Sequence, residues 1–239
     1  MYESLKLADE INLNFTQDGL LILNLTIAFI MFGVALQITP SSLKNLIIKP
    51  KATIVGFISQ FFLLPGITFL LVLLLNHYHL ITPGIGLGMI LVSACPGGNV
   101  SNFISTYSNG NPGLSVGLTA LATIAAIFMT PFNFAFYGEM FAAKSPLLIP
   151  IEIKAIDMFK TVILLLGIPI IAGMLFTWKF PGITRRLIKP IQNLSVIFFI
   201  GMVVIMFANN AHYFLNYMVF ILILVFLHNI IALSTGYGI

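Results

Sequence analysis

The chain has 239 residues, 59% of them hydrophobic and 8% charged, with a net charge of +4. Soluble globular domains carry about 25% charged residues, so this composition excludes one and points to an all-α polytopic membrane protein. The basic residues are split between short segments, which leaves no nucleic-acid surface, and the single cysteine, Cys95, excludes an internal disulfide framework.

At about 20 residues per span, the chain has room for about seven transmembrane helices. Residues 1–18 are net acidic, with Glu3, Asp9, Glu10 and Asp18 against Lys6. They lack the basic leader of a signal peptide and read as an extracytoplasmic segment ahead of a transmembrane region, 19–239. The first span is expected at about 20–38. Thr39-Pro40-Ser41-Ser42 then reads as a turn and helix N-cap, followed by a basic loop with Lys44, Lys49 and Lys51. The second span, about 53–75, contains Gln60 and Pro65. The third, about 83–107, holds Cys95-Pro96-Gly97-Gly98-Asn99-Val100-Ser101-Asn102. It lies within 87 residues, Ala52 to Gly138, that carry no charged side chain. The fourth span is expected at about 114–137, with a longer loop at 138–153. Lys154–Lys160 reads as an amphipathic interfacial anchor leading into the fifth span, about 155–178. Lys179, Arg185, Arg186 and Lys189 read as a second basic loop before the sixth span, about 191–208. A short loop at 209–213 and a seventh span, about 217–239, complete the chain.

Alternate loops, beginning with 39–52, hold seven of the eleven Lys and Arg and no acid, whereas all seven acids fall on the other side. The positive-inside rule then places the N-terminus outside and the C-terminus in the cytoplasm of a cell (inner) membrane.

The third span carries the chemistry. Pro lacks an N–H and Gly is conformationally free, so Pro96-Gly97-Gly98 breaks a helix. Broken backbone at membrane depth is tolerated only where it is buried or lines a cavity. If the helix restarts near Gly98 and Asn99, its free N–H groups suit the acidic group of a substrate. The alternative is a proline kink in a helix packed by glycine. Ser101 and Asn102 follow the break, and Ser115, Thr119 and Thr123 recur every four residues on one helical face. Neutral oxygens of this kind suit a hard monovalent cation such as Na⁺; the alternative is small-residue packing with hydroxyls bonded back to the helix. Gln60 is either an interhelical hydrogen bond or a further cation ligand. His228 and Asn229 read as packing and hydrogen-bond partners, and stand with Gly98 and Asn99 as candidate substrate-binding residues. Cys95 has no neighbouring charge to activate it, which disfavours an intramembrane enzyme built on Cys95 or His228. A seven-helix receptor or retinal-type protein is the alternative function, but the seventh span has no Lys for a Schiff base.

The run Cys95–Asn102, then Asn109-Gly110-Asn111 and Leu114-Ser115-Val116-Gly117-Leu118-Thr119, resembles the signature of the bile acid:sodium symporter family. Met31–Leu36 before Thr39-Pro40, Gln60-Phe61 before Pro65, Thr130-Pro131 and Leu227-His228-Asn229 resemble it in the same order. The resemblance implies an inverted-repeat secondary transporter with panel and core domains, two crossing broken helices and alternating access. It implies sodium-coupled symport of an organic anion such as a bile acid, pantoate or a related carboxylate. One sodium site would use Ser101, Asn102, Ser115 and Thr119, and a second Gln60, with the substrate near Asn99, where several relatives have Thr. Spans one, five and six would form the panel, and spans two, three, four and seven the core. The family's second broken helix, with its acidic residue, is absent from these 239 residues. The chain as it stands is therefore expected to be truncated and inactive alone.

Overall fold

A computed structural model describes residues 17–38, 44, 46–97, 100–144, 155–209 and 211–238. Among them all regular structure is helical. The main elements are α1 (Gln17–Ala35), α2 (Pro50–His77), α3 (Pro83–Ala94), α4 (Val100–Tyr107), α5 (Pro112–Ala142), α6 (155–179), α7 (Pro181–Asn209) and α8 (Ala211–Tyr237). Segments of α2, α5, α6, α7 and α8 are long and apolar enough to cross a membrane, and α1 and α3 are shorter apolar helices. The chain is thus a multi-pass, all-helical membrane protein.

The break in the third span is present. Thr82 caps α3, its Oγ1 accepting from the Ile85 N–H at 3.4 Å, and Pro83 occupies the first turn, where a missing N–H costs nothing. The helix ends at Cys95, which is extended at φ −75°, ψ 151°, because the residue before a proline is driven out of the α region. Helix resumes as α4 at Val100. Asn111 then caps α5, its Oδ1 accepting from the Leu114 N–H at 3.0 Å.

Three expected boundaries move. The 138–153 loop begins later, because α5 runs on through Pro131 to Ala142. At 31 residues and about 1.5 Å per residue, α5 is about 46 Å long, which exceeds a hydrocarbon core of about 30 Å. Arg185, Arg186 and Lys189 lie on the opening turns of α7, not in a loop. Long basic side chains at a helix end reach the interface without unwinding it. Residues 211–213, expected as loop, open α8. The 39–42 turn, the N-terminal segment 1–16, and Glu152 and Lys154 lie outside the described residues.

Packing follows small residues and proline-driven bulges. A Cβ added at Gly173 of α6 would lie 2.6 Å from the Ala35 Cβ of α1, so these two helices meet backbone to backbone. α1 packs along α6 and α7, α2 and α5 pack against α3, α4 packs on α5, and α8 touches α2 and α7 lightly. One apolar cluster joins α2, α3, α5 and α8 through Phe69, Val72, Ile90, Phe141 and Leu224. A second joins α1, α5 and α6 through Ala35, Ala120, Ile127 and Ile170. Both α2 and α6 contain one wide π turn, Ser59–Leu63 and Ile163–Gly167, each placed two residues before a proline, Pro65 and Pro169. The extra residue accommodates a ring that would otherwise strike the preceding turn.

Candidate functional site

The break frees main-chain carbonyls at the end of α3, and side chains from other helices claim them. Thr130 of α5 donates its hydroxyl to the Ala94 carbonyl at 2.8 Å. Gln60 of α2 donates Nε2–H to the Cys95 carbonyl at 2.9 Å. Pro65 can give no N–H to the Phe61 carbonyl one turn earlier, and Asn133 of α5 supplies one through Nδ2 at 2.8 Å. Thr130 and Asn133 are both buried. In hydrocarbon an unsatisfied carbonyl costs several kcal/mol, so the first two bonds make the unwound segment tolerable and the third does the same for the π turn of α2. They also fix Gln60 beside the break.

On the far side of the break, α4 is tied to α5. Asn102 Oδ1 accepts from Ser115 Oγ at 2.7 Å and from Thr119 Oγ1 at 3.1 Å. The four-residue spacing of Ser115 and Thr119 brings both hydroxyls to one amide oxygen. A cavity of about 250 Å³ lies alongside, lined by Gln60, Gly97, Ser101, Ser115 and Thr119 with an apolar wall that includes Phe57 and Leu118. A smaller void of about 10 Å³ is lined by Gln37, in the turn just past α1, with Asn102, Thr119 and Thr123. Thr123 is buried, its hydroxyl donating to the Thr119 carbonyl at 2.8 Å.

Five of the expected residues, Gln60, Ser101, Asn102, Ser115 and Thr119, thus gather at the break, and Thr123 sits one turn further along α5. Gly98 and Asn99 lie outside the described residues. His228 and Asn229 do not join the cavity lining. His228 Nε2 pairs with the buried hydroxyl of Thr68 at 2.9 Å, which ties α8 to α2. Asn229 donates Nδ2–H back to the Val225 carbonyl at 2.8 Å. Asn133, Gln37 and Thr68 were not singled out by the sequence. The available signal was their polarity in or beside apolar spans; what hid them is that Asn133 and Thr68 bond to atoms far away in the chain, and Gln37 faces voids closed by distant helices.

Chemically, the oxygens at the break are hard and neutral: one Asn amide, three hydroxyls and one Gln amide. Among the described residues no cluster of three or more His, Cys, Asp or Glu is placed to hold a metal. Such a set suits a weakly bound hard monovalent cation rather than a transition metal.

The chain is 29% identical over 211 residues to a Bacillus subtilis protein named as an uncharacterized sodium-dependent transporter, YocS, covering 88% of this chain and 62% of that one. It is 28% identical over 193 residues to a chloroplast protein of Arabidopsis thaliana named as a probable sodium/metabolite cotransporter, covering 81% and 43%. It is 26% identical over 168 residues to the human ileal sodium/bile acid cotransporter, covering 70% and 46%. The chain spans about half the length of the curated relatives it matches. These relatives are named as transporters and not as enzymes. With residues 24–217 matching it, the chain belongs to the Sodium Bile acid symporter family.

Proposed function

We propose that the protein acts in sodium-coupled symport of a small organic anion. The observation that carries this reading is Asn102, held by Ser115 and Thr119 at the restart of a broken helix and beside a cavity that Gln60 and Ser101 help to line. Ser101, Asn102, Ser115 and Thr119 are assigned to one sodium ion, with Thr123 supporting the same face and Gln60 serving a second. The names of the relatives support sodium as the coupling ion. The substrate's acidic group is assigned to Gly98 and Asn99, which precede α4 in the chain; the opening N–H groups of a helix lack intrahelical partners. His228 and Asn229 complete the substrate assignment from the side of α8. A bile acid, pantoate or a related carboxylate fits this class.

The packing supports a division of labour. Helices α1, α6 and α7 are assigned to a panel, and α2, α3, α4, α5 and α8 to a core. In alternating access the core rocks against the panel around a fixed site. Sodium binds first in this scheme, replacing the hydroxyl-to-amide bonds at Asn102 and fixing the restart of α4 before the anion arrives. Basic residues on α7 and before α2 support assigning those ends to the cytoplasmic side of a cell membrane, with the N-terminus outside.

The test is radioactive sodium retention by the purified 239-residue chain in lipid nanodiscs. Retention should fall at least tenfold in Asn102→Ala and severalfold in Thr119→Val. No sodium retention by the parent chain, or retention indifferent to both substitutions, would sink the assignment.

A further inference from the structure

The void of about 10 Å³ lies between the turn after α1 and the first half of α5. Four polar side chains, Gln37, Asn102, Thr119 and Thr123, line it, and no lining residue is charged. Buried Ile38 and Ala120 form part of its apolar wall. A space of about this volume takes one water-sized particle and needs two to four polar partners to hold it.

The hydroxyl protons at this void are already committed. Thr119 donates to Asn102 Oδ1 at 3.1 Å, and Thr123 donates to the Thr119 carbonyl at 2.8 Å. A hydroxyl that has given its proton away keeps its lone pairs, and oxygen lone pairs are what a hard cation takes.

Gln37 reaches the void from a different bundle. Its turn is closed by two bonds, from the Gln37 N–H to the Val34 carbonyl at 3.1 Å and from the Ile38 N–H to the Ala35 carbonyl at 3.0 Å. Thr177 of α6 donates to the Leu36 carbonyl at 3.3 Å, which fixes the turn to α6. Leu36 and Ile38 on either side are buried. The backbone of Gln37 is thus held by α1 and α6, whereas Asn102, Thr119 and Thr123 stand on α4 and α5. Its side-chain amide makes no hydrogen bond to the other described residues. Gln37 and Val34 also line a wider recess of about 420 Å³ beside α7, so the amide stands where the small void meets open space.

We propose that Gln37 is a cation ligand, its amide oxygen completing from the panel side the oxygen set that Asn102, Thr119 and Thr123 present from the core. The inference rests on the transport reading for the identity of the cation and for the division into panel and core. An ion shared in this way ties α1 to α4 and α5. Core and panel then move apart only by giving up the Gln37 oxygen, so the rocking step itself weakens the hold on sodium. A bridging water is the competing occupant, and it would join the same groups whether or not sodium is present.

The experiment measures sodium-22 binding and thermal unfolding of the full chain in lipid nanodiscs at pH 8, in sodium chloride and in choline chloride. Gln37→Leu should raise the half-saturating sodium concentration about tenfold, as for loss of one bond to a charged group. Gln37→Glu should lower it at least about threefold, because a carboxylate adds direct attraction to the ion. In an Asn102→Ala background Gln37→Leu should add less than about twofold, since both residues serve one ion. In choline, Gln37→Leu should melt with the parent, while the rise in melting temperature that sodium gives the parent should shrink. If Gln37→Leu does not give a monodisperse protein, Gln37→Met, of similar length and without a hard oxygen, carries the same measurements. Parent-like sodium affinity in Gln37→Leu, with dependence on Asn102 intact, overturns the Gln37 ligand and leaves the transport reading standing. An equal fall in melting temperature in sodium and choline, with affinity unchanged, assigns the void to water and also overturns it. Sodium binding that is absent from the parent, or indifferent to Asn102→Ala, overturns the transport reading and the Gln37 ligand together.

Discussion

Two regions of the molecule handle buried polar groups in opposite ways. At the break between α3 and α4, the Ala94 and Cys95 carbonyls have named donors, as does Phe61 in the neighbouring α2. At the α1–α7 contact a serine hydroxyl is buried without a partner. The first region shows what the fold needs in order to unwind a helix in hydrocarbon. The second shows a polar atom that the fold does not need for itself. Removing a partner should therefore be costly at the break and nearly free at α1–α7, and the difference can be measured.

The largest effect is expected from Asn133→Leu. The substitution leaves the Phe61 carbonyl buried beside Pro65 with no donor, at a cost of about 2–3 kcal/mol. It should also loosen the π turn that presents Gln60. Thermal unfolding in detergent should show a melting temperature lower by about 5–10 °C, with weaker sodium retention than the parent. An unchanged melt would mean that the π turn is stable without its side-chain donor.

Next comes Gly173→Ala, a control on packing rather than polarity. The new methyl would sit 2.6 Å from the Ala35 Cβ and 2.9 Å from the Phe32 carbonyl oxygen. Main-chain and Cβ atoms cannot swing aside, so α1 and α6 must separate, at about 1–3 kcal/mol for overpacking of this kind. Its melting temperature should fall without a specific change in how sodium retention depends on Asn102. A loss of retention larger than the loss of stability explains would tie the α1–α6 contact to the cation site.

A smaller effect is expected from Thr130→Val, which keeps shape and removes only the donor to the Ala94 carbonyl. Side-chain hydrogen bonds inside membrane proteins average about 0.6 kcal/mol and reach about 1.7. The neighbouring Gln60 bond to Cys95 remains, so a value near the upper end is the most that geometry allows.

These expectations also show what could be read from the chain beforehand. The uncharged stretch from Ala52 to Gly138 announces membrane spans, and Pro96-Gly97-Gly98 within it announces the break, because both follow from local backbone chemistry. The gathering of Ser115 and Thr119 is likewise local, being a matter of helical spacing. Their meeting with Asn102 is nearly so, since only a short turn separates α4 from α5. Asn133, Gln37 and Ser195 are different in kind. Asn133 matters through a carbonyl 72 residues away, and Gln37 through voids closed by α5 and α7. Nothing in their own neighbourhoods marks them. The basic cluster on α7 misled for a related reason: charge predicts the side of the membrane, but it does not say whether the backbone beneath it is helix or loop.

The smallest effect, and the sharpest use of the comparison, is Ser195→Ala. It removes the one oxygen that lies against Gly33 and leaves the Cβ in the serine's own position. In the parent the hydroxyl has lost its water and gained no bond, so its deletion should be neutral or should stabilise by up to about 1 kcal/mol. The melting temperature should stay the same or rise, whereas Thr130→Val, an equally modest loss of one hydroxyl, lowers it. The two substitutions remove the same functional group from the same kind of helix, so the sign of the difference reports only whether the hydroxyl had a partner. Ser195→Ala destabilising the empty protein as much as Thr130→Val would show that Ser195 is held by an internal bond, and the opposition between the two regions would be gone.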